Sequence, residues 1–180
     1  MSAAYCLAAP GSPLHGPYHD TEYGFPARDE AVLFERLVLE INQAGLSWAT
    51  ILRKRDAFRL AFAGYDIDEV AAFGPGDFER LMADAGIVRN RLKIAAVIDN
   101  ARRIQELRTS HISFAAWLDA HHPRPLPEWV KLFRRTFRFP GGEIVNEFLM
   151  SLGYLPGAHE ETCPVFAAIR EHNPPWIVVG

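Results

Sequence analysis

The chain has 180 residues, 49% of them hydrophobic, and a formal net charge of -3. This length can bury a core of its own and does not demand two large domains; the apolar residues never gather into the ~18-residue run that crosses a bilayer, and the net charge offers no argument for a nucleic-acid partner. The opening "MSAAYCLAAPGSPLHG" lacks the basic flank and apolar block of a secretory signal, so a reducing, cytoplasmic setting is expected.

After this opening the sequence reads as helix after helix, without clean alternation or βαβ rhythm, which predicts an all-α fold. Asp29 stands as a cap before "EAVLFERLVLEINQAG", where Leu33, Leu37, Ile41 and Ala44 recur at helical spacing and Gly45 is a stop. Ser47 caps "WATILRKRDAFRLAF", which Gly64 ends. Asp66 with Glu69 is a capping box before "IDEVAAF"; "GPG" breaks that helix and "DFERLMADAG" forms another, stopped by Gly86. The longest candidate is "NRLKIAAVIDNARRIQELRT", with Leu92, Ala95, Ala96, Ile98, Ala101 and Ile104 as its apolar stripe. "SFAAWLDAH" and "PEWVKLFRRT" are shorter helices, each opened by a cap or a proline.

In "FRFPGGEIVNEFLMSLG", Pro140, Gly141 and Gly142 form a hairpin that launches a helix at Glu143. A glycine-containing turn feeding a helix N-terminus can bind an anion; it can equally be an ordinary helix connection. Three basic clusters accompany the helices: Arg53, Lys54, Arg55 and Arg59; Arg89, Arg91 and Lys93; and Lys131, Arg134, Arg135 and Arg138. Each alone reads as a solvated helix face, and together they raise the case for DNA.

His159 and Cys163, four apart, make a half-site for zinc. The other cysteine is Cys6, and His19 follows it by thirteen residues in a Pro/Gly-rich segment. A set of Cys6, His19, His159 and Cys163 would leave no open position on the metal, which would then be structural. Unrelated buried thiols or a disulfide are the competing readings.

Glu40 falls at the edge of the apolar stripe of its helix, so it either pairs with a neighbour such as Arg36 or sits partly desolvated in a pocket. Trp48 lies just past the helix stop, and Tyr18 and Tyr23 flank His19. Aromatic faces with one carboxylate suit a flat cation, by stacking, cation–π attraction and charge pairing.

"YHDTEYG", "LEINQAGLSWATILRKRDAFRLAF", "DAGIVRNRLKI" with "NAR" after it, and the Cys6/His19/His159/Cys163 set, in this order, resemble the signatures of the DNA-3-methyladenine glycosylase I (Tag) family. The likeness runs over residues 6–163, within one glycosylase domain of residues 1–180 whose tail, 164–180, has no assigned role. It implies the helix-hairpin-helix glycosylase fold, with one structural zinc joining the chain ends. It also implies a pocket in which Glu40 contacts the excised base, Tyr18 and Trp48 stack on or line it, and Tyr23 fills an aromatic position. Gly141 and Gly142 would grip the DNA backbone.

The implied activity is excision of 3-methyladenine from alkylated double-stranded DNA by a monomer that releases the free base. No lysine follows the hairpin, so strand cleavage is not expected. The helix "GGEIVNEFLMSLG" departs from the family's usual "YSFMQA"-type helix, and Glu143 and Glu147 put acid where phosphates should approach. A zinc-stapled damage-binding module with little turnover, or a glycosylase for another modified base, are the rival readings.

Overall fold

The computed structural model describes residues 3–177, and the last three residues of the tail lie outside them. Eleven α-helices and no strand occur among the described residues: α1 (Ala3–Ala8), α2 (Gly16–Thr21), α3 (Glu30–Gln43), α4 (Trp48–Ala61), α5 (Ile67–Ala71), α6 (Pro75–Ala83), α7 (Arg91–His111), α8 (Phe114–His121), α9 (Leu126–Thr136), α10 (Gly142–Ser151) and α11 (Pro164–Glu171). None is long and apolar enough to cross a membrane.

The helix starts follow local chemistry. Asp29 accepts from the Val32 amide, Ser47 from Thr50, Asp66 from Asp68 and Glu69, Asn90 from Leu92 and Lys93, and Ser113 from Ala116. Each oxygen satisfies an amide that the first turn leaves without an intrahelical partner. α6 begins at Pro75, inside the "GPG" expected only to break the chain, because proline at the first helical position forfeits an N–H that has no use there. Leu92 is not in the apolar stripe of α7: it is 72% exposed, and the buried face runs through Ile94, Val97, Ile98, Ala101 and Ile104. The Pro/Gly-rich opening folds into α1 and α2, and the tail into α11, so segments without periodic pattern still become short helices once packed.

α3 is the hub. All residues from Leu33 to Asn42 are buried, and α4, α7, α8 and α10 pack around it. A helix enclosed on every side must settle its polar residues individually. Glu35 takes Arg55 and Arg59, Arg36 donates to Glu22, and the Asn42 amide donates to the Val38 carbonyl. α9 and α10 meet in a hairpin held by an aromatic cluster: Phe133, Phe137 and Phe148 pack on Phe114 and Trp117 of α8. Asn100 of α7 pins the turn by donating to the Arg138 carbonyl at 3.1 Å and accepting from its amide at 2.7 Å.

Candidate functional site

α1, α2 and the loop before α11 bring Cys6, His19, His159 and Cys163 together, with one donor atom from each all within 4.8 Å of one another. Cys6 Sγ lies 3.7 Å from His159 Nδ1, which is 3.4 Å from Cys163 Sγ, itself 3.7 Å from His19 Nε2. Both cysteines are free thiols, which removes the disulfide reading. The outward-facing ring nitrogens are held by groups that only accept: His19 Nδ1 by Asp20 Oδ1 at 2.6 Å, and His159 Nε2 by the Tyr23 carbonyl at 2.8 Å. Each ring therefore carries its proton on the outer nitrogen and turns a lone pair toward the thiols. Burial holds His159 below the ordinary imidazole range, in favour of that neutral form. The four side chains could hold a metal ion.

This cluster adjoins a second polar centre. Glu40, Gln43, Ala44, Gly45, Trp48, Glu143 and Glu147 line a cavity of about 640 Å3 at the end of α3, the start of α4 and the start of α10. Glu40 is 3% exposed and forms no hydrogen bond or ion pair among the described residues. Burial, and then the Glu147 charge, push its carboxyl up to about 8, against the pull of Arg36. Arg36 does not pair with Glu40; its guanidinium is bonded to Glu22 at 2.7 Å and lies 4.6 Å over the Tyr18 ring.

Tyr18 and Tyr23 do not line the cavity. Tyr18 packs against Trp48 at 5.0 Å between ring centroids, while the Tyr23 hydroxyl donates at 2.9 Å to Glu147, which does line it. The two tyrosines are 5.6 Å apart, and the backbone of Tyr23 is the group that orients His159. One short segment thus carries His19 and the backbone that orients His159, and packs behind two of the residues that line the cavity, Trp48 and Glu147.

Gly141 and Gly142 are the cap and first residue of α10. Neither requires glycine for its own geometry: Gly141 has φ -65°, and a Cβ on Gly142 would meet nothing within 4 Å. The left-handed residue of this turn is Phe139, at φ 67°. The Gly141 amide is not turned outward, since it donates to the Phe139 carbonyl.

Much of the basic charge is spent inside the fold. Arg55 grips Glu22 with two bonds of 2.7 Å, Lys54 donates to the carbonyls of Ala85 and Gly86, and Lys93, only 5% exposed, donates to those of Asn42 and Ala44. Lys93 thereby fixes the end of α3 and the turn at Gly45, whose φ is +82°. Lys131, Arg134 and Arg135 on α9 remain exposed. Sequence reading missed the cavity role of Glu147 and the clamp formed by Lys93. For Lys93 the signal was present: it shares a helical face with Ala96, Val97 and Asn100, all buried.

The methyladenine glycosylase family model matches residues 8–129. The DNA-3-methyladenine glycosylase 1 of Escherichia coli (strain K12) is 36% identical over 160 residues, covering 78% of this chain and 86% of that protein. A crystal structure of 3-methyladenine DNA glycosylase I (TAG) superposes with a TM-score of 0.78 at 33% identity, over 88% of this chain and 97% of that one. A variant of that enzyme type, solved in complex with 3-methyladenine, gives 0.79 at 29% identity, over 89% and 96%. The matched residues hold Glu40, Trp48, both tyrosines and His19, whereas Cys6, the hairpin, His159 and Cys163 fall outside them. With this fold, this identity and this coverage, the chain belongs to the methyladenine glycosylase family.

Proposed function

We propose that this protein is a DNA glycosylase of base-excision repair that removes 3-methyladenine from alkylated double-stranded DNA as the free base, without cutting the strand. Glu40 carries this reading: a buried carboxyl group without a hydrogen-bond or ion-pair partner among the described residues, opening onto a cavity beside the Trp48 indole. Such a group has a large desolvation cost that a cationic ligand relieves.

An adenine methylated at N3 in DNA is positively charged, and its glycosidic bond is weakened accordingly. Extruded from the helix, the base enters the cavity, stacks on Trp48 and meets Glu40. At neutral pH the raised Glu40 carboxyl holds its proton in the empty pocket, and the arriving cation favours the carboxylate, so base binding displaces a proton. The C1′–N9 bond then breaks with its electron pair passing to the base, which leaves neutral. Water adds to the sugar oxocarbenium at C1′ and gives up a proton. Among the described residues no lysine lines the cavity to attack C1′, which favours the monofunctional reaction.

Tyr18 and Tyr23 are assigned as the aromatic support of the base site, and Gly141 and Gly142 as the turn that meets the DNA backbone. Zinc is the metal assigned to Cys6, His19, His159 and Cys163. Bond lengths of about 2.3 Å to sulfur and 2.0–2.1 Å to nitrogen put tetrahedral donors ~3.3–3.8 Å apart, and the contacts of 3.4 and 3.7 Å suit that spacing. The ion would supply no chemistry to the reaction; it would tie the two chain ends and hold His19 and Tyr23 in place. We assign one catalytic unit over residues 1–180, acting as a cytoplasmic monomer.

Incubation with methylated duplex DNA and chromatography of the released bases tests the function. Free 3-methyladenine with intact, abasic strands is the expected outcome. Tight binding to methylated DNA with no base released would instead establish a damage-binding module.

A further inference from the structure

A second carboxylate enters the cavity. Glu147 stands on α10, four residues after Glu143, so both face the same way, and both line the space that Glu40 and Trp48 line. Its orientation is set: the Tyr23 hydroxyl donates to Oε2 at 2.9 Å, and Tyr23 is fully buried, with its carbonyl held by His159. The field of Glu147 reaches Glu40, where it is the largest influence after burial itself. Glu147 lies in the helix that departs from the family's usual pattern and beyond the residues that the family model matches.

We propose that Glu147 is a specificity-determining residue of the base pocket, forming with Glu40 a two-carboxylate site that selects positively charged N-alkylated bases over neutral ones. This rests on the glycosylase reading and sharpens it. Neutral and cationic purines of one shape both stack on Trp48, with a cation–π increment for the cation that is the same in every Glu147 variant. The cation gains in addition from each carboxylate, so Glu147 adds to an attraction that Glu40 supplies alone in its absence. Because a carboxylate accepts and never donates, Glu147 also favours bases that present N–H groups over those that present only acceptors.

The test uses two ligands of nearly equal shape: 3,9-dimethyladeninium, which carries the fixed charge of the lesion with a methyl in place of the sugar, and neutral 9-methyladenine. Dissociation constants come from quenching of tryptophan fluorescence, with circular dichroism verifying the fold of each variant. The wild-type protein should prefer the cation. Glu147→Gln, which keeps an acceptor for Tyr23, and Glu147→Ser should each reduce that preference about tenfold, the size of one charge acting across a partly solvated cavity. Glu147→Asp should retain it to within about threefold. A preference unchanged in whichever of the neutral variants folds, or one lost equally in Glu147→Asp, overturns the proposal. The measurement is independent of turnover: if the wild-type protein releases no 3-methyladenine from methylated DNA, it is the function that fails.

Discussion

The Cys/His cluster and the cavity beside it are both polar centres buried in an apolar fold, and they treat their polar atoms in opposite ways. Around the cluster each histidine has its outer nitrogen anchored, and every remaining lone pair converges on one point. In the cavity Glu40 is buried to a similar degree and has no hydrogen-bond or ion-pair partner among the described residues. The first arrangement is closed on itself and could hold a metal ion; the second opens onto a cavity. The difference teaches that burial alone does not distinguish the two centres. Under the proposed function, what distinguishes Glu40 is burial together with a carboxyl that no described residue pairs.

The largest way to break this contrast is to open the cluster. Cys163→Ala, or treatment with a strong chelator, should lower stability by about 4 kcal/mol or more, read from thermal melts with metal content measured on the same sample. A metal-free protein that melts unchanged would remove the distinction between the two centres. Base release should persist in the variant at temperatures where it is still folded.

Glu40→Gln acts on the other side. It should cut 3-methyladenine release by about a hundredfold or more while raising the melting temperature. The sign follows from the raised carboxyl: the unfolded chain loses this proton near pH 4.5 and the folded chain only near 8. The native contribution of Glu40 is therefore undiminished below the lower value, declines across the interval, and is constant above it. The stabilisation by Gln should grow from pH 4.5 to 8 and then level. An equal effect at pH 4.5 and 8 would show that Glu40 is not desolvated.

Ligand binding sharpens the same point. Affinity for the fixed cation should rise by up to about tenfold per pH unit below 8, and Glu40→Gln should flatten the rise. Glu147, Glu143, Arg36, Tyr18 and Tyr23 surround the group, and the pH profile of Glu147→Gln separates its share from that of Glu40.

Two smaller effects concern the frame. Lys93→Met removes the clamp on the Asn42 and Ala44 carbonyls, and should cost about 1–3 kcal/mol and raise KM more than it lowers kcat, since the turn at Gly45 lines the cavity. Arg134→Ala on the exposed face of α9 should weaken DNA binding only a few-fold and reduce the slope of log Kd against log salt by about 1. An unchanged slope would place the DNA elsewhere.

The elements were largely legible. Asp29, Ser47, Asp66 and Asn90 mark their helix starts because a cap is a local device, needing only a side-chain oxygen and an amide two or three residues on. That Cys6, His19, His159 and Cys163 come together was legible as well, because the chain has two cysteines and the spacing of each to a histidine suggested one cluster. The fate of the arginines and lysines was not. Arg55 and Lys93 resemble solvated charges in sequence and are tied up only by partners dozens of positions away, Glu22 and the carbonyls of Asn42 and Ala44. For Tyr23 the sequence offered only an aromatic ring near the pocket; that its hydroxyl donates to a carboxylate 124 positions on was not legible.

The sequence by itself determined the all-helical class, the caps, the two cysteines and two histidines of the cluster and the presence of one carboxylate near the rim of an apolar face. Those features depend on spacing within a helical turn or on the chemistry of rare residue types. The tertiary structure alone decided that α3 is enclosed on every side, that Arg36 answers Glu22 and leaves Glu40 alone, and that Glu147 joins the same cavity. Burial and charge pairing are properties of the assembled packing, since desolvation is set by everything that surrounds a group and not by its neighbours in the chain.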